Sequence, residues 1–239
     1  MTDNLQALAR AWPQILEGVG ITLWLTVGGA LLALVVALAL GLASCTTSAT
    51  LRVLARIVIE FFRGTSLVVQ LFFLFYVLPL FGVDLHPILV GVMGLGLNYG
   101  AYAAEVVRGS INAVPSGQWE ASIALSHSPA QRMFRVILPQ AWALMIPSLT
   151  NLLIQLLKGT AIVSFITLVD LTVQIDKLRV ESGDTFFAFM VGLLIYFAIA
   201  YLLTLLMNAL EVRAKHRLGQ GESLRDVLSF RAPAKEVGS

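Results

Sequence analysis

The chain has 239 residues, of which 58% are hydrophobic and only 13% are charged. Soluble domains carry roughly 25% charged residues, so this chain has too few charges to cover a water-facing surface, and its composition predicts a membrane protein. A net charge of +2 is too small to indicate nucleic-acid binding, the single Cys45 excludes an intrachain disulfide or a thiolate metal cluster, and the three histidines lie too far apart for a metal site.

Five stretches between consecutive charged residues are apolar and long enough to cross a bilayer, which takes about 20 residues in a helix. They predict five transmembrane helices at about residues 18–43, 57–81, 86–107, 133–157 and 186–210. Because a single backbone segment is satisfied in lipid only as a helix, the predicted fold class is all-α integral membrane. An extracytoplasmic segment over residues 1–17 precedes this domain of residues 18–210, and a tail over residues 211–239 follows it.

The distribution of lysine and arginine predicts the orientation of the chain. One set of connections, which includes the tail, holds twelve of the 16 basic residues, and the other set holds Arg10, Lys158, Lys177 and Arg179. The first set is therefore predicted to be cytoplasmic, with the N-terminus outside and the C-terminus inside a cell inner membrane. The tail mixes both charges at low hydrophobicity, so we expect it to be exposed, partly disordered past Gly219 and able to touch anionic lipid.

The longest cytoplasmic connection, over residues 105–135, has the pattern of two helices that meet at a corner. Ser116 is the predicted N-cap of a short helix over residues 118–125. From Ser128 to Gln131, a serine cap, a proline at the first helical position and a glutamine at the capping-box position predict a second helix start. This pattern by itself is also compatible with an ordinary ordered loop.

Several segments resemble the permeases of ABC importers. The EAA loop of these permeases reads Glu-Ala-Ala, three residues, Gly, nine residues, Ile-x-Leu-Pro. A similar pattern in this chain is Glu120-Ala121-Ser122, three residues, Ser126, nine residues, and Val136-Ile137-Leu138-Pro139. Residues 101–118, 62–71 and 157–160 resemble the polar amino-acid branch of the family. Across residues 15–215 the sequence is most similar to permeases for ectoine and hydroxyectoine.

The resemblance implies a type I ABC importer permease fold, with a cytoplasmic coupling helix in the EAA loop, residues 115–129, between the third and fourth spans. It implies ATPase coupling by Gly117, Glu120, Ala121, Ser126 and Pro139. We expect Pro139 to bend the helix that begins at Pro129, with a passive kink as the alternative. Ser126 stands where the family has Gly, and a left-handed conformation costs a serine about 1 kcal/mol, so this corner is expected to close differently.

The chain has no Gly-x-x-x-x-Gly-Lys-[Ser/Thr] phosphate loop, so it is predicted not to be an enzyme itself. The resemblance implies that ATP and Mg²⁺ are bound by separate ATP-binding subunits. It also implies a second permease subunit, in a heterodimer or a homodimer, and an extracytoplasmic solute-binding protein. No cofactor is implied for this chain, and membrane lipid surrounds it.

The predicted substrate path depends on a few polar residues in apolar surroundings. Lys158 is the one charged residue between positions 136 and 169. We expect Pro147 and Gly159 to interrupt this passage, so that Lys158 and Thr160 face a central cavity where the ammonium group meets a substrate carboxylate. The alternative is a lysine that extends to the outer membrane interface.

Four further residues are candidates for the path, namely Asn98, Thr65, Ser66 and Gln155. For Asn98, an interhelical hydrogen bond is an equally compatible role. Many relatives carry a Glu and an Asp where this chain has Gln155 and Gly159, so the sequence indicates a neutral or zwitterionic substrate rather than a cation.

Two glycines of the third predicted span indicate close packing between helices. Gly96 and Gly100 match the small-x-x-x-small pattern of closely packed helices.

A membrane-embedded enzyme needs a catalytic set within the spans, and none is present. A passive channel fits the five spans but leaves the helix-corner-helix loop without a purpose. The main alternative is therefore a permease for another polar amino acid.

Overall fold

The computed structural model describes residues 2–217, and all regular elements in that part of the chain are helical. The α-helices are α1 (Thr2–Ser44), α2 (Ala49–Gly64), α3 (Leu67–Phe72), α4 (Pro87–Asn112), α5 (Ser116–Ala124), α6 (Pro129–Gln131), α7 (Leu138–Gly159), α8 (Leu171–Ser182) and α9 (Thr185–Arg217). Wider π-helical turns cover Phe73–Val77 and Arg132–Ile137, and tighter 3₁₀ turns cover Leu78–Phe81 and Thr160–Ile166. The predicted disordered part of the tail, past Gly219, lies outside the described residues.

Four helical stretches are long and apolar enough to cross a membrane, and they are Asp3–Ser44, Pro87–Asn112, Pro129–Ile166 and Thr185–Ala214. A fifth span is obtained when the helices Ala49–Gly64 and Leu67–Phe81, which are bent by 99° relative to each other, are taken as one. The all-α membrane class with up to five spans is therefore confirmed.

The first helix begins much earlier than the predicted span at residue 18. Its N-terminal half packs against α8 and α9, where Ala11 and Ile15 are buried with Leu171. Near the start of α1, the Asn4 Nδ2 atom donates a hydrogen bond of 2.9 Å to an Asp184 carboxylate oxygen. The sequence prediction missed this extension because it considered only stretches without charged residues. Tertiary packing keeps the helix intact through charged positions.

Close contact between α1 and α4 forms the centre of the bundle. A methyl group placed on Gly96 lies 2.6 Å from Leu32 Cδ2, and one placed on Gly100 lies 2.8 Å from Val36 Cβ. Both distances are shorter than a carbon–carbon contact allows, so any side chain at either glycine pushes the two helices apart. The predicted packing role of Gly96 and Gly100 is confirmed.

The second predicted span, residues 57–81, is wrong as a single helix, because it contains the 99° bend. Thr65 and Ser66 form the bend in extended conformations, with φ values of −107° and −72°. Hydropathy detects the apolar composition on both sides but not a change of direction. We call this bend the elbow.

Buried side chains of α3 and α4 satisfy the backbone carbonyls that end α2 at the elbow. Gln70 Nε2 donates to the carbonyl oxygen of Phe62 at 2.9 Å and to Thr65 Oγ1 at 2.6 Å. Asn98 Nδ2 donates to the same Phe62 carbonyl at 3.0 Å and to Gln70 Oε1 at 3.3 Å. The last carbonyls of a helix have no partner in their own helix, so these two amides stabilise the elbow.

We expect Asn98→Leu to destabilise the elbow. An interhelical hydrogen bond in a membrane protein is worth about 0.6–2 kcal/mol, and 1 kcal/mol shifts the Tm of a chain of this size by about 2–4 °C, so the Tm should fall by about 1–8 °C. Differential scanning fluorimetry of the purified chain measures this shift. Thr150→Val is the control, because the buried Thr150 hydroxyl donates to the Ile146 carbonyl of its own helix. Equal Tm values for the two variants would contradict the role of Asn98.

Candidate functional site

The predicted helix pair between the third and fourth spans is present as α5 and α6. The structure corrects the first cap, because Pro115 is the N-cap residue of α5 and Ser116 is already helical. The reason is that the Pro115 carbonyl already accepts a turn hydrogen bond from Gln118 N, at 3.0 Å. The second start agrees with the prediction, since Ser128 and Gln131 form both hydrogen bonds of a capping box.

Ser126 forms the corner between α5 and α6 in the left-handed conformation, with φ of 56°. The amide of His127 donates to the Ser122 carbonyl at 3.1 Å, which closes the end of α5. Serine therefore adopts the backbone conformation that a glycine adopts at little cost.

Substitutions of Ser126 are expected to differ according to their tolerance of positive φ. Ser126→Gly should leave the Tm and uptake close to wild type, because relief of backbone strain offsets the greater freedom of glycine in the unfolded chain. Ser126→Val should destabilise the chain by about 1–2 kcal/mol, because a β-branched residue is strained in this region. Thermal unfolding of both variants measures the difference. A fully stable Ser126→Val variant would show that the corner does not require positive φ.

One face of α5 is anchored to the transmembrane bundle. Ser122 is 2% exposed, and its hydroxyl donates to the Trp119 carbonyl at 2.7 Å. Trp119 packs on the buried cluster at this end of the bundle. Gln118 Oε1 accepts a hydrogen bond of 3.2 Å from Gln140 Nε2 near the start of α7. α5 is therefore connected to the bundle and to the start of α7 through side-chain contacts.

The opposite face of α5 is exposed and carries three of the predicted coupling residues. Gly117, Glu120 and Ala121 are all exposed, as are the apolar side chains of Ile123 and Leu125. A methyl group on Gly117 meets no atom within 4 Å. This surface, which we call the α5 outer face, combines one carboxylate with small and apolar groups.

Pro139 lies at the start of α7, directly after the π-helical turn Arg132–Ile137. A proline has no backbone donor and its ring crowds the preceding turn, and a π-helical turn is one way in which a helix accommodates the distortion. The irregularity lies where the chain passes from the α5–α6 corner into the fourth span. The predicted break at Pro147 is wrong, since α7 continues through it, and at Gly159 the α-helix passes into the 3₁₀ turn Thr160–Ile166 without a break in the helical stretch. Within lipid, losing one hydrogen bond at Pro147 costs less than opening the helix.

Exposed polar side chains form a line along one face of α7. Ser148, Asn151, Gln155 and Lys158 follow one another at intervals of three or four residues, and all four are exposed. Toward the corner, the exposed Leu144 separates this line from Gln140, which contacts α5. At about 1.5 Å per residue, the line from Ser148 to Lys158 is about 15 Å long, about half the hydrocarbon thickness of about 30 Å. Polar groups that face lipid are costly, so this α7 polar face is expected to meet water or protein.

The other predicted path residues are not on the α7 polar face. Thr160 is fully buried and donates to the Leu157 carbonyl at 2.7 Å, contrary to the expectation that it faces a cavity. Asn98 and Thr65 are engaged in the elbow, so the geometry favours the interhelical role for Asn98. Ser66 is exposed at the elbow and makes no side-chain cap for α3.

The end of α7 is held by a tyrosine from α4. Tyr99 OH donates to the Gln155 carbonyl at 2.9 Å. A methyl group on Gly159 would lie 2.6 Å from the Tyr99 hydroxyl oxygen. Tyr99 also lines an apolar cavity of about 820 Å³ between α1, α4, α7 and α9. Gln155 and Lys158 do not line this cavity, so it is a separate surface from the α7 polar face.

Sequence interpretation missed Ser148 and Asn151, although their helical spacing from Gln155 and Lys158 was a readable signal. It also missed Gln140 as a contact of α5, because a hydrogen bond between residues 118 and 140 has no signature in sequence. Among residues 2–217, no three His, Cys, Asp or Glu side chains are grouped so as to hold a metal ion.

Comparison with known proteins places this geometry among transport permeases. Residues 36–216 match the family described as binding-protein-dependent transport system inner membrane component. The chain is 41% identical over 85% of its length to a probable amino-acid ABC transporter permease of Sinorhizobium fredii, covering 90% of that protein. It is 36% identical over 84% of its length to the L-cystine transport system permease TcyB of Bacillus subtilis, covering 87% of it.

Solved structures show the same architecture. The fold is similar to that in a crystal structure of an amino acid ABC transporter with histidines, with a TM-score of 0.79 and 33% identity, over 87% of this chain and 97% of that chain. It is also similar to the inward-facing MetNI methionine ABC transporter, with a TM-score of 0.72 at 21% identity, over 83% of this chain and 95% of that chain. The second likeness concerns the fold alone.

Proposed function

The chain belongs to the family of binding-protein-dependent transport system inner membrane components, and we propose that it carries a neutral or zwitterionic amino acid or amino-acid-derived solute inward, powered by ATP. In this proposal ATP and Mg²⁺ are bound by partner ATPase subunits. A second permease subunit completes the pathway, and an extracytoplasmic solute-binding protein delivers the substrate. The basic loops and the C-terminus lie in the cytoplasm, and the N-terminus lies outside.

The α7 polar face is the observation that carries the substrate class. It presents hydroxyl and amide groups and one ammonium group, that of Lys158, and α7 contains no acidic residue. A transported cation would need a carboxylate at membrane depth, whereas a zwitterion can place its own carboxylate against Lys158. The amide groups of Asn151 and Gln155 supply donors and acceptors for the remaining polar groups.

The anchored α5 helix supports the proposed coupling to ATP hydrolysis. When two ATPase subunits close on nucleotide, a groove that holds the α5 outer face moves, and α5 moves with it. The hydrogen bond between Gln118 and Gln140 and the contacts of Trp119 pass this movement to the start of α7. The π-helical turn before Pro139 is the irregular segment at which α7 can tilt. Such tilting would expose the polar face alternately to the two sides of the membrane.

Within the substrate class, we propose ectoine and hydroxyectoine as the solutes to test first. The resemblance noted in the sequence and the absence of acidic groups from α7 support this choice. The names of similar proteins specify other amino acids, since one is an L-cystine permease and another, 33% identical over 85% of the chain, is a putative glutamine permease of Rickettsia felis. Glutamine and cystine are therefore the competitors that the test must include.

Uptake into proteoliposomes tests the proposal directly. The chain is reconstituted with its ATPase subunits, partner permease and binding protein, and labelled ectoine, glutamine, cystine and arginine are compared with and without internal ATP. We expect ATP-dependent uptake of at least one zwitterion and none of arginine. Uptake without ATP or binding protein would indicate a passive channel, and preferred uptake of arginine would contradict the charge argument.

A further inference from the structure

A small polar pocket lies where the ends of several helices meet, close to α5 but separate from its outer face. It has a volume of about 270 Å³, and its lining includes Arg52 and Arg56 of α2, Arg108 of α4 and Trp119 of α5. Cys45, directly after α1, also lines it. Three guanidinium groups from two different helices therefore point to one pocket, which we call the arginine pocket.

The charges of the arginine pocket are only partly compensated by the protein. Arg108 forms an ion pair with Glu105 at 2.6 Å. Arg52 and Arg56 are one helical turn apart and exposed, and within residues 2–217 neither forms an ion pair or a side-chain hydrogen bond. Like charges this close repel one another, so the pocket favours an anion that several guanidinium groups can share.

The helix that supplies two of these arginines is amphipathic. Its polar stripe holds Arg52 and Arg56, whereas Leu54, Val58 and Phe61 on another face are 55%, 38% and 60% exposed. α2 is bent by 99° from the apolar segment Leu67–Phe81 that follows it. A helix with basic and apolar faces can lie in the membrane interface, with its basic side at the level of the lipid headgroups.

We propose that the arginine pocket binds the phosphate group of an anionic phospholipid, whose acyl chains lie along the exposed apolar face of α2. A soluble phosphate would match the guanidinium groups but would leave that apolar face without a partner. A lipid satisfies both surfaces at once, since its phosphate accepts hydrogen bonds from arginine and its chains cover leucine, valine and phenylalanine. Because Trp119 belongs to α5, the bound headgroup would touch the coupling helix.

Cys45 provides a reporter inside the pocket. It is the one cysteine of the chain, and burial raises the pKa of its thiol, so its alkylation by N-ethylmaleimide is slow and is best followed at mildly alkaline pH. The assembled transporter is placed in nanodiscs of phosphatidylcholine, with or without phosphatidylglycerol, and modification of this chain is measured by mass spectrometry. We expect phosphatidylglycerol to slow the alkylation of Cys45.

Variants of the arginines show whether the protection arises in the pocket. A basic residue near the membrane is worth about fivefold in affinity for anionic lipid. Arg52→Gln combined with Arg56→Gln should therefore lower this affinity about 25-fold and weaken the protection of Cys45 from alkylation. Arg63→Gln is the matched control, because Arg63 lies on the same stripe of α2 but does not line the pocket. Arg52→Lys with Arg56→Lys keeps the charge and should retain most of the protection.

Three results would overturn the proposal. Equal alkylation rates in the two lipid compositions would mean that no anionic lipid binds, and this comparison needs only the wild-type chain. Equal protection by inorganic phosphate in phosphatidylcholine would assign the pocket to a soluble anion. Protection that depends on the ATPase subunits but not on the lipid would assign it to a protein partner.

Discussion

We expect the variants Glu120→Arg and Gly117→Trp to insert into the membrane normally but to lose ATP-driven uptake. Both residues lie on the α5 outer face, and neither change disturbs packing within the chain, because Glu120 is exposed and a methyl group on Gly117 meets no atom within 4 Å. A charge reversal or a bulky ring at the centre of a protein interface typically costs about 2–4 kcal/mol, which lowers affinity for the ATPase by about 30- to 1,000-fold.

Two measurements separate loss of docking from loss of folding. Retention of the ATPase subunits during purification reports docking, and the Tm of the permease in detergent reports its fold. Gly117→Ala is the control at the same position, since it adds only a methyl group in open space and should transport normally. Wild-type uptake by Glu120→Arg or Gly117→Trp would show that α5 does not couple to the ATPase.

The second large effect is expected for Lys158→Met. Lys158 lies at the end of the α7 polar face, is exposed, and has no ion-pair or hydrogen-bond partner within the described part of the chain. A hydrogen bond between a charged donor and a substrate carboxylate is worth about 1.5–3 kcal/mol, so its loss should reduce kcat/KM for uptake by about 10- to 150-fold. Methionine preserves the length and apolar stem of the side chain.

Controls distinguish a substrate contact from a lysine that extends to the membrane interface. Lys158→Arg keeps the positive charge and should retain more uptake than Lys158→Met. Lys177→Met removes an exposed lysine from α8, outside α7, and should leave uptake near wild type. Assembly with the partner subunits must be intact in each variant. Wild-type uptake by assembled Lys158→Met would remove Lys158 from the substrate path.

Local chemistry made several elements predictable from sequence. The capping box at Ser128 and Gln131 was predictable because both of its hydrogen bonds join residues three positions apart. The contact of Gly96 with α1 follows from the lack of a side chain at that position. The coupling face of α5 was located by resemblance, and its exposure agrees with a docking surface, although the docking itself stays a prediction.

Features made by distant residues were not predictable. The elbow at Thr65 and Ser66 depends on the amides of Gln70 and Asn98, and the latter comes from another helix. For the same reason Asn98 was a reasonable candidate for the substrate path until its hydrogen bonds were seen. The continuation of α7 through Pro147 reflects the cost of opening a helix in lipid, which a local rule for proline does not include.

By itself, the sequence determined that the chain is a helical membrane protein, because hydropathy, charge spacing and capping are properties of neighbouring residues, and its resemblance to known permeases located the EAA-type loop. The tertiary structure decided which polar residues are available to a substrate or partner. In the structure Thr160 is buried and Asn98 donates a hydrogen bond to the Phe62 carbonyl, whereas Asn151 and Lys158 are exposed on one face of α7. A polar side chain has the same chemistry in either place, and only its packing against other helices determines whether that chemistry is already satisfied.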